Sequence, residues 1–154
     1  MPAGTEARLA QLSITLPAAP EAGGNYIPAK TLGRVVYLAG VISSGPDGVI
    51  AGTVGLDRSI EEGYLAAKSC ALTQLAVLKR YVGSLDAVKQ VLTVNGYVNA
   101  VAGFPDSPQV INGASDLFVE LFGECGRHVR AAIGVSALPR NALVELQMTV
   151  ELEP

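Results

Sequence analysis

An α+β fold, with two helices packed on one face of a mixed β-sheet, is what the sequence predicts, and three observations predict it. Apolar residues recur at three- and four-residue spacing in two long segments and alternate or run continuously in the others. The segments follow one another as strands, helix, strand, helix, strand, strand, and no internal repeat is present. At 154 residues the chain is expected to form one domain over 1–154, with residues 1–12 a loosely ordered, alanine-rich lead. Its 49% hydrophobic and 16% charged content is that of a chain that buries a core.

Each element has a local reason. Leu12, Ile14 and Leu16 alternate with Ser13 and Thr15 as on a strand, which Pro17 and Pro20 stop. Gly23-Gly24-Asn25 reads as a loop, Arg34 to Val41 as a short apolar strand covered on both faces, and Gly45-Pro46-Asp47-Gly48 as a turn. Ser59-Ile60-Glu61-Glu62 is a capping box, in which hydroxyl and carboxylate each bond the other residue's backbone N–H. The helix it opens carries the stripe Tyr64, Ala67, Ala71, Leu75, Leu78 and Val82, and Gly83 is placed as a left-handed stop.

Val88 to Val98 predicts a second core strand. Ser107 is expected to cap a second helix with Pro108 at its first position and an inner stripe of Ile111, Ala114, Leu117, Phe118, Leu121 and Phe122. Gly123 and Gly126 end it. Residues 130–138 and 143–152 are the last two strands, and the latter alternates Val144, Leu146, Met148, Val150 and Leu152 against polar neighbours.

Composition removes several classes of function. A formal charge of −3, with Lys79-Arg80 the one adjacent basic pair, argues against a nucleic-acid partner, which needs clustered cations. No apolar run reaches the length of a membrane helix and no basic, apolar leader opens the chain, so a cytoplasmic protein without a membrane partner is expected. High mean hydropathy with few charges predicts apolar surface covered by further copies of the chain. Cys70 and Cys125 are expected to be buried free thiols, and with one histidine, His128, no metal site is expected.

Chemistry is concentrated near the C-terminus, where Arg130 and Glu145 each interrupt an otherwise apolar strand-like segment. A guanidinium can grip a carboxylate through two parallel hydrogen bonds, and a carboxylate can polarise a water molecule or shuttle its proton. The bland alternatives are a structural ion pair for Arg130 and a solvent-facing position for Glu145. A tight turn at Pro139 to Asn141 would set Glu145 opposite about Val135, roughly 16 Å from the position opposite Arg130, so a simple hairpin separates them. His128 projects to the same side as Arg130 by alternation, yet without a second partner it reads as a surface or loop-end histidine. Ser43, Ser44 and Ser136 have no base beside them in sequence, and Gly23-Gly24 is too short for a phosphate cradle.

The run Arg-Ala-Ala-Ile-Gly-Val-Ser-Ala-Leu-Pro-Arg-Asn-Ala-Leu-Val-Glu at 130–145, with Gly24-Asn25-Tyr26, Leu38-Ala39-Gly40 and Val110-Ile111-Asn112-Gly113-Ala114, closely resembles the RidA (YjgF) family, also called L-PSP endoribonucleases. Ile-Asn-Gly-Ala-Ser-Asp-Leu at 111–117 and Phe-Gly-Glu-Cys-Gly-Arg-His at 122–128 look like an uncharacterised subgroup rather than the well-studied imine deaminases. The resemblance implies the chorismate-mutase-like fold, assembled as a homotrimer with a cleft at each subunit interface. It further implies hydrolysis of a reactive enamine or imine to a 2-keto acid and ammonia, without a cofactor.

In that reading Arg130 holds the carboxylate of a small metabolite, Glu145 positions water, and Tyr26 lines the cleft from the neighbouring subunit. Asn112 sits near a family asparagine, one residue further from the arginine than in well-known members. Those members carry Pro-Ala before the arginine and often Cys two residues after it, where this chain has His128-Val129 and Ala132. The thiol is lost, although the Ala132 N–H can still donate. Ala39-Gly40-Val41 stands where Ser-Gly-Gln is frequent, which removes a hydroxyl and an amide. A non-catalytic keto-acid binder, an RNase and a purely structural trimer are the rival readings.

Overall fold

The computed structural model describes residues 4–154. A first helix, α1 (Thr5–Gln11), precedes five short strands: β1 (Ala29–Leu32), β2 (Val35–Leu38), β3 (Val41–Ile42), β4 (Ser44–Gly45) and β5 (Gly48–Val49). There follow α2 (Ile60–Val82), β6 (Val88–Asn99), α3 (Ser107–Phe122), β7 (Val129–Val135) and β8 (Val144–Leu152). The main sheet runs β1-β2-β8-β6-β7, with β3 also paired to β8, while β4 and β5 form a separate hairpin. Only β6 and β7 are parallel within it; the other ladders are antiparallel. This is the mixed-sheet α+β architecture expected, with a third, short helix added at the start.

The core forms because period two in the strands meets period 3.6 in the helices. Val144, Leu146, Met148 and Val150 of β8 and Val94 and Val98 of β6 are buried under α2 and α3. Removing each such side chain from water contributes roughly 1.5–3 kcal/mol. The capping box at Ser59 and Glu62 is present, with both bonds at 3.1 Å, and α2 ends at Gly83 with φ at +94°. On its buried stripe Ala67, Ala71, Leu75 and Leu78 are fully covered, whereas Tyr64 and Val82 lie at the margins.

Gln74, from the same helix, is the buried polar residue that ties the sheet together. Its amide donates to the carbonyls of Ala39 (2.7 Å) and Leu146 (3.2 Å) and accepts from the Met148 N–H (3.2 Å). The first of these bonds satisfies backbone at the break between β2 and β3.

Several expectations are corrected. Residues 5–11 form α1 rather than a loose lead, held by Glu6, whose carboxylate accepts from Lys79 Nζ and the Leu85 N–H, both at 2.9 Å. The alternating segment at 12–16 finds no partner strand among the described residues and is irregular, with Ser13 at φ +55°, while Ile14 and Leu16 still pack on the core. The run from Arg34 to Val41 breaks at Ala39-Gly40, and one face only is covered: Val36 and Leu38 are buried while Tyr37 is 48% exposed. At α3 the cap is Asp106, Ser107 already lies within the first turn, and its buried hydroxyl has no partner among the described residues. β7 stops at Val135, and the 3₁₀ turn Pro139–Asn141 does not join paired strands, because β6 lies between β7 and β8. Cys70 is buried as expected; Cys125 is exposed.

The two long helices touch at Gly113. A β-carbon there would overlap the Tyr64 carbonyl of α2, so the glycine is required for close approach. Gly113→Ala is expected to cost about 3 kcal/mol, the upper end for overpacking, read as a fall in the urea midpoint with unchanged slope. An unaltered midpoint would show that the helices have room to part.

Candidate functional site

Register on β6 places the two candidate charges. Arg130 on β7 lies beside Val94, and Glu145 on β8 lies beside Tyr97. They are therefore three residues apart along β6 and two strands apart across it, about 10 Å in each direction. Paired residues in a sheet share a face, and Val94 is fully buried beneath the helices. Arg130 and Ala132 thus belong to the helix-covered face, whereas Tyr97 and Glu145 belong to the open face. One chain does not bring Arg130 and Glu145 together.

Arg130 is held by α3. Its Nη1 donates to Asn112 Oδ1 (2.8 Å) and Ser115 Oγ (3.0 Å), and its Nη2 to the Pro108 carbonyl (3.2 Å). Asn112 and Ser115 are one helical turn apart and point the same way because residues three apart share a helix face. No carboxylate pairs with Arg130 among the described residues, so the structural ion pair is not how its charge is used. Two of its five N–H groups, Nε–H and one on Nη2, have no acceptor among the described residues, the number a carboxylate takes in a bidentate pair.

His128 is not a free surface residue. Its Nδ1 lies 2.6 Å from the Gly126 carbonyl, its Nε2 lies 2.9 Å from Ser115 Oγ, and its ring meets Phe118 edge-on at 6.0 Å. Burial holds its pKa below the usual histidine range; the Gly126 carbonyl opposes the shift and the Arg130 charge adds to it. Ser115 is the residue that sequence reasoning missed. Its signal was the i, i+3 relation to Asn112, on the helix that must cross over the strand carrying Arg130.

On the open face, Glu145 and Tyr26 line one shallow depression together with Ile27, Lys30, Tyr37, Leu38, Ala39 and Gly40. Gly40 gives Glu145 its space, since a β-carbon there would lie 2.8 Å from Oε2. Of the polar groups foreseen for this region, Tyr26 reaches it, but its hydroxyl also accepts from the Gly23 N–H at 3.0 Å. Tyr26 and Glu145 are thus gathered in one place, and Arg130, Ala132 and Asn112 in another.

Burial raises the Glu145 pKa above its ordinary value of 4.5. In the folded protein this carboxyl holds its proton to higher pH than in the unfolded chain, so it destabilises the fold as pH rises through that window. Below pH 4.5 the penalty is absent. Glu145→Gln is therefore expected to raise the melting temperature at pH 7 and leave it nearly unchanged at pH 4. Equal shifts at both values would contradict the assignment.

Residues 6–152 match the family model of YjgF/chorismate mutase-like endoribonucleases. Protein TCP17 of Trypanosoma cruzi is 38% identical over 148 residues, covering 95% of this chain and 92% of that protein. Atu1372 of Agrobacterium tumefaciens, a protein of unknown function, superposes with a TM-score of 0.88 at 38% identity, over 97% of this chain and 92% of that one. A Shewanella oneidensis protein that carries the endoribonuclease name gives 0.91 at 32% identity, over 97% and 100%. With a match across nearly its whole length and relatives this similar, the chain belongs to the YjgF (RidA) family.

Proposed function

We propose that this cytoplasmic protein hydrolyses small carboxylate-bearing enamines or imines to a 2-keto acid and ammonia, in clefts between the subunits of a homotrimer. The observation that carries the reading is the unquenched Arg130 guanidinium on the edge strand β7, with two N–H groups that have no acceptor among the described residues. Edge position leaves it open to a neighbouring copy. Glu145 and Tyr26 sit elsewhere on the same chain, so the complete site takes Arg130 from one subunit and the Glu145 depression from the next.

In this mechanism Arg130, aided by the Ala132 N–H, grips the substrate carboxylate, and Asn112 steadies the guanidinium. Glu145 accepts a proton from water as the water oxygen bonds to the imine carbon, and passes it to the nitrogen, leaving a carbinolamine. Glu145 then carries the hydroxyl proton to the same nitrogen, the C–N bond breaks, and ammonia leaves as the carbonyl forms. A carboxyl whose pKa is raised by burial is suited to such a shuttle near neutral pH. Tyr26 closes the cleft. Nothing in these steps requires a cofactor.

A non-catalytic keto-acid binder is the second reading, favoured by Ala39 and Ala132, which offer no side-chain hydroxyl, amide or thiol near the reacting centre. RNA cleavage has less support, given the net charge of −3 and a single histidine.

The test follows keto-acid formation from imines generated in situ by an amino-acid oxidase, against semicarbazide trapping. Arg130→Ala and Glu145→Gln should each abolish the acceleration. Co-expressed in equal amounts, the two variants should recover about a quarter of wild-type activity, because that share of random interfaces pairs an intact arginine with an intact glutamate. A mixture as inactive as its parents would sink the shared site. Wild-type protein that binds 2-oxobutyrate through Arg130 but hydrolyses nothing would establish the binder.

A further inference from the structure

We propose that His128 and Ser115 are positioning residues for Arg130, forming with the Gly126 carbonyl a hydrogen-bond chain that aims the guanidinium at a carboxylate. This rests on Arg130 being the carboxylate grip.

Each link has a fixed direction. The Gly126 carbonyl can only accept, so the His128 hydrogen sits on Nδ1, and Nε2 of the neutral ring is left an acceptor. The Ser115 hydroxyl must then donate to Nε2, which turns its lone pairs toward Arg130 Nη1. Asn112 Oδ1 takes the second hydrogen of Nη1 and the Pro108 carbonyl takes one from Nη2. The ring itself is kept from turning by edge contact with Phe118.

The acceptors chosen argue for positioning over mere attachment. A strand could be tied to a helix more strongly by pairing Arg130 with a carboxylate, which would also cancel its charge. Here three neutral oxygens orient an exposed guanidinium and leave its full charge available. The low histidine pKa keeps Nε2 an acceptor at neutral pH.

One histidine in the chain makes the test direct, since its ring nitrogens give an unambiguous ¹⁵N signature. In the ligand-free protein we expect the hydrogen on Nδ1 and an ordered Arg130 Nε–H resonance. His128→Phe keeps the ring but loses both nitrogens; His128→Gln keeps an acceptor toward Ser115. The Arg130 resonance should show motional averaging in His128→Phe and Ser115→Ala, and regain order in His128→Gln. The dissociation constant for 2-oxobutyrate should rise about tenfold in the two disruptive variants, the size of one hydrogen bond to a charged group, and no further in their double.

A hydrogen found on Nε2, or an Arg130 equally ordered in His128→Phe, would overturn the chain. An ordered Arg130 in wild-type protein that binds no 2-oxobutyrate would instead contradict the carboxylate grip, and with it the purpose assigned to the chain.

Discussion

The parallel pairing of β6 with β7 governs the geometry around Arg130. Parallel neighbours cannot be joined by a tight turn, so the chain must leave the end of β6, cross the sheet as α3, and return as β7. The crossover lays α3 over the strand that follows it, which is why Pro108, Asn112 and Ser115 reach the Arg130 side chain. The short turn at Gly123–Gly126 then delivers His128 beside the same helix. An arginine at this edge thus gains its acceptors from the topology itself, and the Asn112-Gly113 pair serves both ends: Asn112 holds the guanidinium while Gly113 lets α2 and α3 touch.

Glu145 depends on the other side of β6. β8 lies at the centre of the sheet, and its alternation turns Leu146 and Met148 into the core and Glu145 and Gln147 to the open face. Gln74 satisfies the Ala39 carbonyl from below the sheet, where β2 gives way to β3, and Gly40 leaves the space that the carboxylate occupies. A partly buried acid and an unquenched cation lie on opposite faces of one sheet. Register sets them about 10 Å apart both along and across the sheet, so one chain does not bring the two together, and the proposed chemistry draws them from two copies.

The parts legible in the sequence were those fixed by local signals of known mechanism. The capping box at Ser59, the stop at Gly83, the stripe of α3 and the alternation of β8 each report a backbone requirement carried by a few neighbouring residues. Partnership was not legible. Leu12, Ile14 and Leu16 alternate as strand residues do, but no strand lies beside them; residues 5–11 have no side-chain cap to announce a helix, and α1 is secured by contacts from Glu6 to residues more than seventy positions away. Of the site, Arg130, Glu145, Tyr26 and Asn112 could be named from the motif, whereas the face each strand residue takes and the distance between them depend on the register in which β7 and β8 each pair with β6. Ser115, which bonds both Arg130 and His128, is brought to them only by the crossover helix.

A crystal structure of the protein with 2-oxobutyrate would show whether Arg130 and Glu145 serve one ligand. The ligand carboxylate should lie on the free N–H groups of Arg130 in one subunit, with its carbonyl carbon facing Glu145 of a neighbouring subunit. Ligand bound away from Arg130, or contacted by a single chain alone, would contradict it.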